Sequence, residues 1–395
     1  MATSSSSPND AGRAGAGLRG VLVPALMFQA VAIGGAYATG REIIEFGAGH
    51  GALGWAAGLA MAITGSLLSY LVYEMARRHR LFDYRSLLRH LINKLYWLFD
   101  AVYIPLAIAI IAVLASATGN ILKDTLGLNY WAGVAVIIVV TGFVTFRGTE
   151  VVERFNGIGT ILLMAGYIVF ALLVIPSHWE RIGQVMSAGD HSLRPGATFW
   201  DAALLGMTYV GMGFVVFPST LMTVRHLRSR RDAAKAAALT GGLYVVPWFL
   251  TYAALMGFYP DPKIFDAPVP WLKMLEGKGT WVVVVYGLLV GWTLVATAVG
   301  LIQAIVLRVD QNLVDAGRPV MTSRVRVGIT LAVLLLGAAL AQFGIIDLIA
   351  VGYLVGAVAL ILVFGVPLIA RGAKLFLPRS DVPVVTQGQE PAAES

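Results

Sequence analysis

The residues best equipped for chemistry cluster early in the chain: Gly34, Gly35, Ala36, Tyr37, Ala38, Thr39 and Gly40, followed at once by Arg41, Glu42 and Glu45. Three glycines among seven residues weaken a helix. A helix broken there presents free N–H groups at the start of its second half and free carbonyls at the end of its first, so one break can hold an anion and a cation. The amides from Ala36 to Thr39 suit a substrate carboxylate. The carbonyls from Ala32 to Gly34 suit an amino group or a sodium ion. Arg41 and Glu45 stand one turn apart and are expected to form an internal ion pair. Glu42 points elsewhere, either to pair across a bundle or to titrate.

A second set follows at Tyr209, Val210, Gly211, Met212, Gly213 and Phe214, with Pro218 just beyond. Carbonyls around Gly211 and Gly213 could also receive a cation, while Tyr37, Tyr209 and Phe214 could close a pocket, although buried aromatics often serve packing alone. Thr293, Ala296 and Thr297 share one helical face. The two hydroxyls are candidate sodium ligands alongside Ala32, with Ala296 standing where a further hydroxyl would help; in a span, Thr hydroxyls often bond their own backbone instead. Glu42, Glu45, Thr293 and Thr297 therefore make up the expected ion-coupling set. Asp100, Asp201 and Asp347 are further acids near the ends of apolar stretches.

No enzyme signature accompanies these residues. There is no HExxH, no G-x-S-x-G and no P-loop, and the six histidines lie in loops or at segment ends without forming a ligand pair on one helix face. The chain has no cysteine, which excludes thiolate metal sites and cysteine nucleophiles. Catalytic residues are not expected, and sodium is the one cofactor the residues suggest.

The elements that must position these groups are membrane helices. The chain is 58% hydrophobic and 13% charged, against about 25% charged in an ordinary soluble domain. Apolar stretches long enough to span a bilayer recur from end to end, and ten can be drawn: residues 18–46, 51–76, 95–121, 130–146, 152–175, 198–224, 236–258, 280–307, 325–343 and 345–370. They are continuous rather than alternating, which favours helices over barrel strands. Residues 84–95 read as a short amphipathic helix, and residues 260–279 as an ordered outer loop.

The net charge of +7 does not indicate nucleic acid, because the basic residues fall in short loops and form no stripe. With the N-terminus inside, 22 Lys and Arg residues fall on the cytoplasmic side and 6 outside, as the positive-inside rule requires. Both termini are thus expected in the cytoplasm of a cell-membrane protein. Residues 1–17 read as a disordered tail, 18–175 as a first repeat of five helices, 176–197 as an outer loop, 198–370 as a second repeat and 371–395 as a cytoplasmic tail.

The first and sixth segments open the two halves of this five-plus-five arrangement, and both carry glycine-rich interruptions near mid-membrane. Paired interruptions in corresponding positions point to the binding site of an inverted-repeat transporter. The stretch from Gly34 to Glu42 resembles the glycine-tyrosine-threonine-glycine-arginine-glutamate signature of YkvI-type bacterial membrane proteins, with Ala36 where a third glycine would stand. That resemblance implies a distant branch of the amino acid-polyamine-organocation superfamily and its LeuT-type fold. The expectation is an all-α membrane protein of ten transmembrane helices, with helices one and six broken, moving a small organic solute such as an amino acid or amine. A structural or regulatory membrane protein of the same fold, or a channel, is the alternative. Oligomeric state has no signature in the sequence.

Overall fold

The structure, a computed structural model, describes residues 8–32, 35–146 and 149–375. Helix α1 spans Pro8–Ala32 and so begins ten residues before the boundary drawn at Leu18. A 3-10 turn, Gly35–Thr39, leads through Gly40 into a short α2, Arg41–Glu45, and a second 3-10 stretch, Ala48–Gly54, delivers the chain into α3, Trp55–His79. The amphipathic α4 covers Tyr84–Ile92, started by the Asp83 side chain, which accepts from the Ser86 amide at 2.8 Å. Next come α5, Trp97–Leu126, ended by Gly127 at φ +67°, then α6, Tyr130–Phe146, and α7, Thr149–Val174.

A short surface helix α8, Trp179–Ala188, precedes α9, Phe199–Gly213, and α10, Phe217–Val224. A capping box of Thr198 and Asp201 starts α9, so Asp201 serves a helix end rather than a buried coupling site. Ser229 and Asp232 cap α11, Arg230–Met256, in the same way. The loop that follows holds α12, Pro262–Phe265, and α13, Pro270–Met274. Helix α14 is long, Thr280–Asp315, and α15 covers Ser323–Leu340. The last run comprises α16, Gly344–Asp347, a π-helical stretch Leu348–Tyr353, α17, Leu354–Leu360, a second π stretch Ile361–Gly365, and α18, Val366–Gly372. Pro367 lacks an amide hydrogen, which agrees with the loosened turn just before it.

Among the described residues, six helical runs are long and apolar enough to cross a membrane, and α9 with α10 makes a seventh, bent by 67°. Helices Gly20–Ala32 and Tyr130–Phe146 are shorter but apolar. The run Ser323–Gly372 has 50 residues, about 75 Å of helix at 1.5 Å per residue, against a hydrocarbon core of about 30 Å. Large side chains such as Leu172, Leu288 and Val139 stand exposed at 67%, 72% and 68%. So much outward apolar surface suits lipid, not water. The chain is an all-helical integral membrane protein.

Small residues set the closeness of its core. A Cβ on Gly206 of α9 would lie 2.2 Å from the Ala57 carbonyl oxygen of α3, and one on Gly241 of α11 would lie 2.1 Å from the Ser66 hydroxyl. These contacts clamp α9 and α11 to α3, with backbones approaching as small-residue interfaces permit.

Candidate functional site

Between α1 and α2 the described chain leaves the α-helix, as a 3-10 turn from Gly35 to Thr39 that ends at Gly40. Gly34 is outside the described residues; Gly35 and Ala36 belong to the 3-10 turn. Gly40 ends that turn in the left-handed region at φ +83°, and a Cβ there would come within 3.0 Å of the Trp271 ring. Glycine meets both demands. Tyr37, Ala38 and Thr39 are buried, as are Arg41 and Glu42.

The turn is held by tyrosines that sequence reasoning did not single out. Tyr167 of α7 donates to the Tyr37 carbonyl at 2.8 Å, and Tyr286 of α14 donates to the Ala38 carbonyl at 3.1 Å. Breaking a helix in a membrane interior frees backbone groups that must find partners; here phenol hydroxyls from two other helices supply them. The Gly40 amide donates to the Tyr37 carbonyl at 3.2 Å, and the Arg41 amide to Thr39 Oγ1 at 3.2 Å.

Arg41 forms an ion pair with Glu45 and donates to the carbonyls of Phe265 and Ala267 in the loop around α12. Trp271 of α13 is fully buried beneath the same loop, donating to Thr251 Oγ1 at 3.1 Å. The loop is therefore packed onto the second half of the broken helix, beyond the turn. Glu42 turns the other way and accepts from the Tyr209 hydroxyl of α9, joining the first break to the sixth segment.

In the sixth segment the break falls one turn later than its glycines suggest. Val210, Gly211, Met212 and Gly213 complete α9, and the helix opens at residues 214–216. Pro218 cannot donate to the Phe214 carbonyl, which sets the interruption there. Gly211 instead gives room: a Cβ would lie 2.6 Å from the Ala357 carbonyl oxygen. The carbonyls of Gly211, Met212 and Gly213 accept from the amides of Phe214, Val215 and Val216 at 3.2, 3.2 and 3.0 Å. Phe214 is fully buried against Phe217 and Phe364 rather than lining an open pocket.

A small cavity lies beside this break, bounded by Phe28, Gly65, Ser69, Gly213, Thr240 and Tyr244, with room for about one water molecule. The Ser69 hydroxyl is buried there without a hydrogen-bond partner among the described residues. Thr293 is buried and donates to the Val290 carbonyl at 2.8 Å, the back-bonded arrangement. Thr297, one turn on, is half-buried, and Ala296 is buried. These two threonines lie about 11 and 17 Å along α14 from Tyr286, the α14 side chain that hydrogen-bonds to the first break.

A second polar centre was also missed. Asp100 of α5 accepts from Arg308 Nε of α14 at 3.0 Å, and the guanidinium lies 3.6 Å from the Tyr103 ring centroid and 4.5 Å from that of Tyr84. Asp100 is thus a buried, paired acid and not a solvated one. Arg85 and Arg89 of α4 both pair with Asp315 at the end of α14. Asp347 is exposed. Among the described residues no cluster of His, Asp or Glu could hold a metal ion.

The two interrupted helices thus meet through a buried carboxyl and a phenol. No protein-family model and no curated protein sequence matches the chain, but solved structures do. An inward-facing structure of Mhp1 superposes with a TM-score of 0.55 at 16% identity, over 86% of this chain and 73% of that one. A Na+-coupled sialic acid symporter, substrate-bound and outward-open, gives 0.54 at 10% identity, over 91% and 85%. The chain shares the fold of these two proteins.

Proposed function

We propose that this chain is a secondary active transporter that moves a small organic solute, an amino acid or an amine, across the cell membrane by alternating access. In this reading ten spans form two inverted repeats, residues 18–175 and 198–370, with both termini cytoplasmic. The YkvI-type signature from Gly34 to Glu42 is part of the same reading. The observation that carries it is the bent sixth segment and the 3-10 turn with left-handed Gly40 that follows α1, linked by Glu42 and Tyr209. Interrupted helices with a buried acid between them are expensive to keep in a bilayer and mark solute or ion pathways.

The solute would bind between Gly34–Thr39 and the Tyr209–Phe214 turn. Sodium coupling would use Thr297, Thr293 and the carbonyl of Ala32; proton coupling would use Glu42, because Glu45 is committed to Arg41. A thermal-shift screen of the purified protein against amino acids and amines, with and without sodium, tests the reading, since a ligand that binds only the folded state raises its midpoint. Stabilisers are then taken into uptake assays in proteoliposomes. If sodium couples transport, Thr297→Ala weakens the sodium dependence and leaves the fold intact; if protons do, Glu42→Gln abolishes the pH response. A chain that neither binds nor accumulates any such solute is not a transporter of this kind.

A further inference from the structure

The ends of α3, α4 and α18 come together on the side that the proposed topology makes cytoplasmic. Helix α18 packs against both of the others, and a Cβ on its Gly372 would lie 2.8 Å from the Leu71 side chain of α3. Each helix carries basic residues in its last turn: Arg77, Arg78 and His79 in α3, Arg89 and His90 in α4, Arg371 in α18. The His79 and His90 rings meet at 4.5 Å between centroids, tilted by 34°. Burial, then the charges of His79 and Arg371, lower the affinity of His90 for a proton, so Arg371 stands close to the pair.

No acid answers these groups. Glu74 of α3 is taken by Arg77 through two hydrogen bonds of 2.8 Å, Asp83 caps α4, and Asp315 holds Arg85 and Arg89. Helices α4 and α18 contain no Asp or Glu. Among the described residues, no ion pair includes Arg78, His79, Arg80, His90 or Arg371. The carbonyls at a helix end favour a cation, but that attraction serves one helix at a time and leaves the repulsion between helices in place. Arg80 adds a charge where the backbone disfavours a side chain, at φ +56°.

The patch stands at the foot of an outward apolar face. Leu67 of α3 and Val366 and Ile369 of α18 are exposed. Arg78 follows Leu67 by eleven residues, close to three turns, so the two share one face of α3 about 17 Å apart. Free phosphate would satisfy the basic groups alone; a phospholipid would satisfy the basic groups and the apolar face together. We infer that the ends of α3, α4 and α18 form a binding site for an anionic phospholipid of the cytoplasmic leaflet. Its phosphate is held by His79, His90 and Arg371 with Arg78 and Arg80 beside them, and its acyl chains lie along Leu67, Val366 and Ile369. Basic clusters just cytoplasmic of a span attract such lipids. The site is separate from the two breaks and does not depend on which solute the chain moves.

The full-length protein in a nonionic detergent, at physiological salt and neutral pH, is titrated with dioleoylphosphatidylglycerol, with dioleoylphosphatidylcholine, and with glycerol 3-phosphate or inorganic phosphate. The readouts are the unfolding midpoint and the lipid retained in native mass spectrometry. Phosphatidylglycerol is expected to raise the midpoint saturably, by about 2 °C or more, and to stay bound; phosphatidylcholine and the soluble phosphates are not. Arg371→Gln with His90→Gln should weaken the apparent affinity for phosphatidylglycerol about fivefold or more, the effect of one juxtamembrane charge. Arg225→Gln with Arg231→Gln, two exposed cations at another point on the same side, should leave it unchanged. Arg80→Gly suits the left-handed backbone, should weaken the lipid response as well, and stands in if the Arg371 and His90 variant does not fold. No response to phosphatidylglycerol, or an equal response to phosphatidylcholine or to the soluble phosphates, would overturn the inference. So would an equal loss in the Arg225 and Arg231 variant, which would show diffuse attraction only, or an undiminished response in the Arg371 and His90 variant, or in Arg80→Gly where that stands in.

Discussion

Truncating Arg308 to alanine is expected to be one of the costliest single changes in this chain, because it strands a buried charge. The Arg308 and Asp100 side chains are 4% and 9% exposed and meet at 3.0 Å. Removing one member of such a pair costs about 3–5 kcal/mol, and loss of the desolvated contact with the Tyr103 face adds up to about 2 kcal/mol. The intact pair is worth much less than this, since both charges are desolvated and Arg308 Nη2 has no hydrogen-bond partner among the described residues. Replacing both residues with apolar ones, Asp100→Leu with Arg308→Met, should therefore recover most of the lost stability. Arg308→Lys should fall between, keeping the charge and losing the planar stack. The assay is a double-mutant cycle on reversible unfolding in detergent, with an expected coupling of about 2 kcal/mol or more. Single effects that add to within about 0.5 kcal/mol would show that the two side chains do not act as one unit, and the reasoning would fail.

Three further outcomes are expected. Gly40→Ala should lower stability by about 1–3 kcal/mol, from a left-handed backbone and the approach of Trp271; an unchanged unfolding midpoint would contradict it. On the proposed topology, with the loops rich in Lys and Arg on the cytoplasmic side, a cysteine at Ser229 should resist an impermeant label in intact cells and react once they are opened; labelling of intact cells reverses the topology. Burial, with His79 and Arg371 nearby, holds His90 below its ordinary value. The unfolded chain then takes up the proton more readily, so the stability contribution is present above about pH 6.5 and is lost as pH falls through the folded value. His90→Gln should flatten that acid limb of the unfolding midpoint, and an identical pH profile in the variant refutes the assignment.

The two breaks illustrate how far local sequence reaches. In the first helix, glycine density and Gly40 coincide with the interruption because a left-handed residue there excludes other side chains. In the sixth, the glycines at 211 and 213 lie inside the last helical turn and the opening follows them, because Gly211 is there for close packing against Ala357 while Pro218 removes the bond to Phe214. A glycine permits a break, whereas a missing amide hydrogen enforces one.

Composition and the length and continuity of the apolar runs determined the membrane setting and the helical class, since such runs span a bilayer as helices whereas barrel strands are shorter and alternate. The sequence also placed Arg41 beside Glu45, a contact within one turn. Which groups complete the first break was decided by tertiary structure: Tyr167 lies 130 residues from the Tyr37 carbonyl it caps, and Tyr286 lies 248 residues from that of Ala38. The same holds for Glu42 with Tyr209 and for Asp100 with Arg308, separated by 167 and 208 residues. Helical periodicity orders neighbours three or four residues apart; partners from different helices are chosen by how the bundle packs, and a single sequence carries no local trace of that choice.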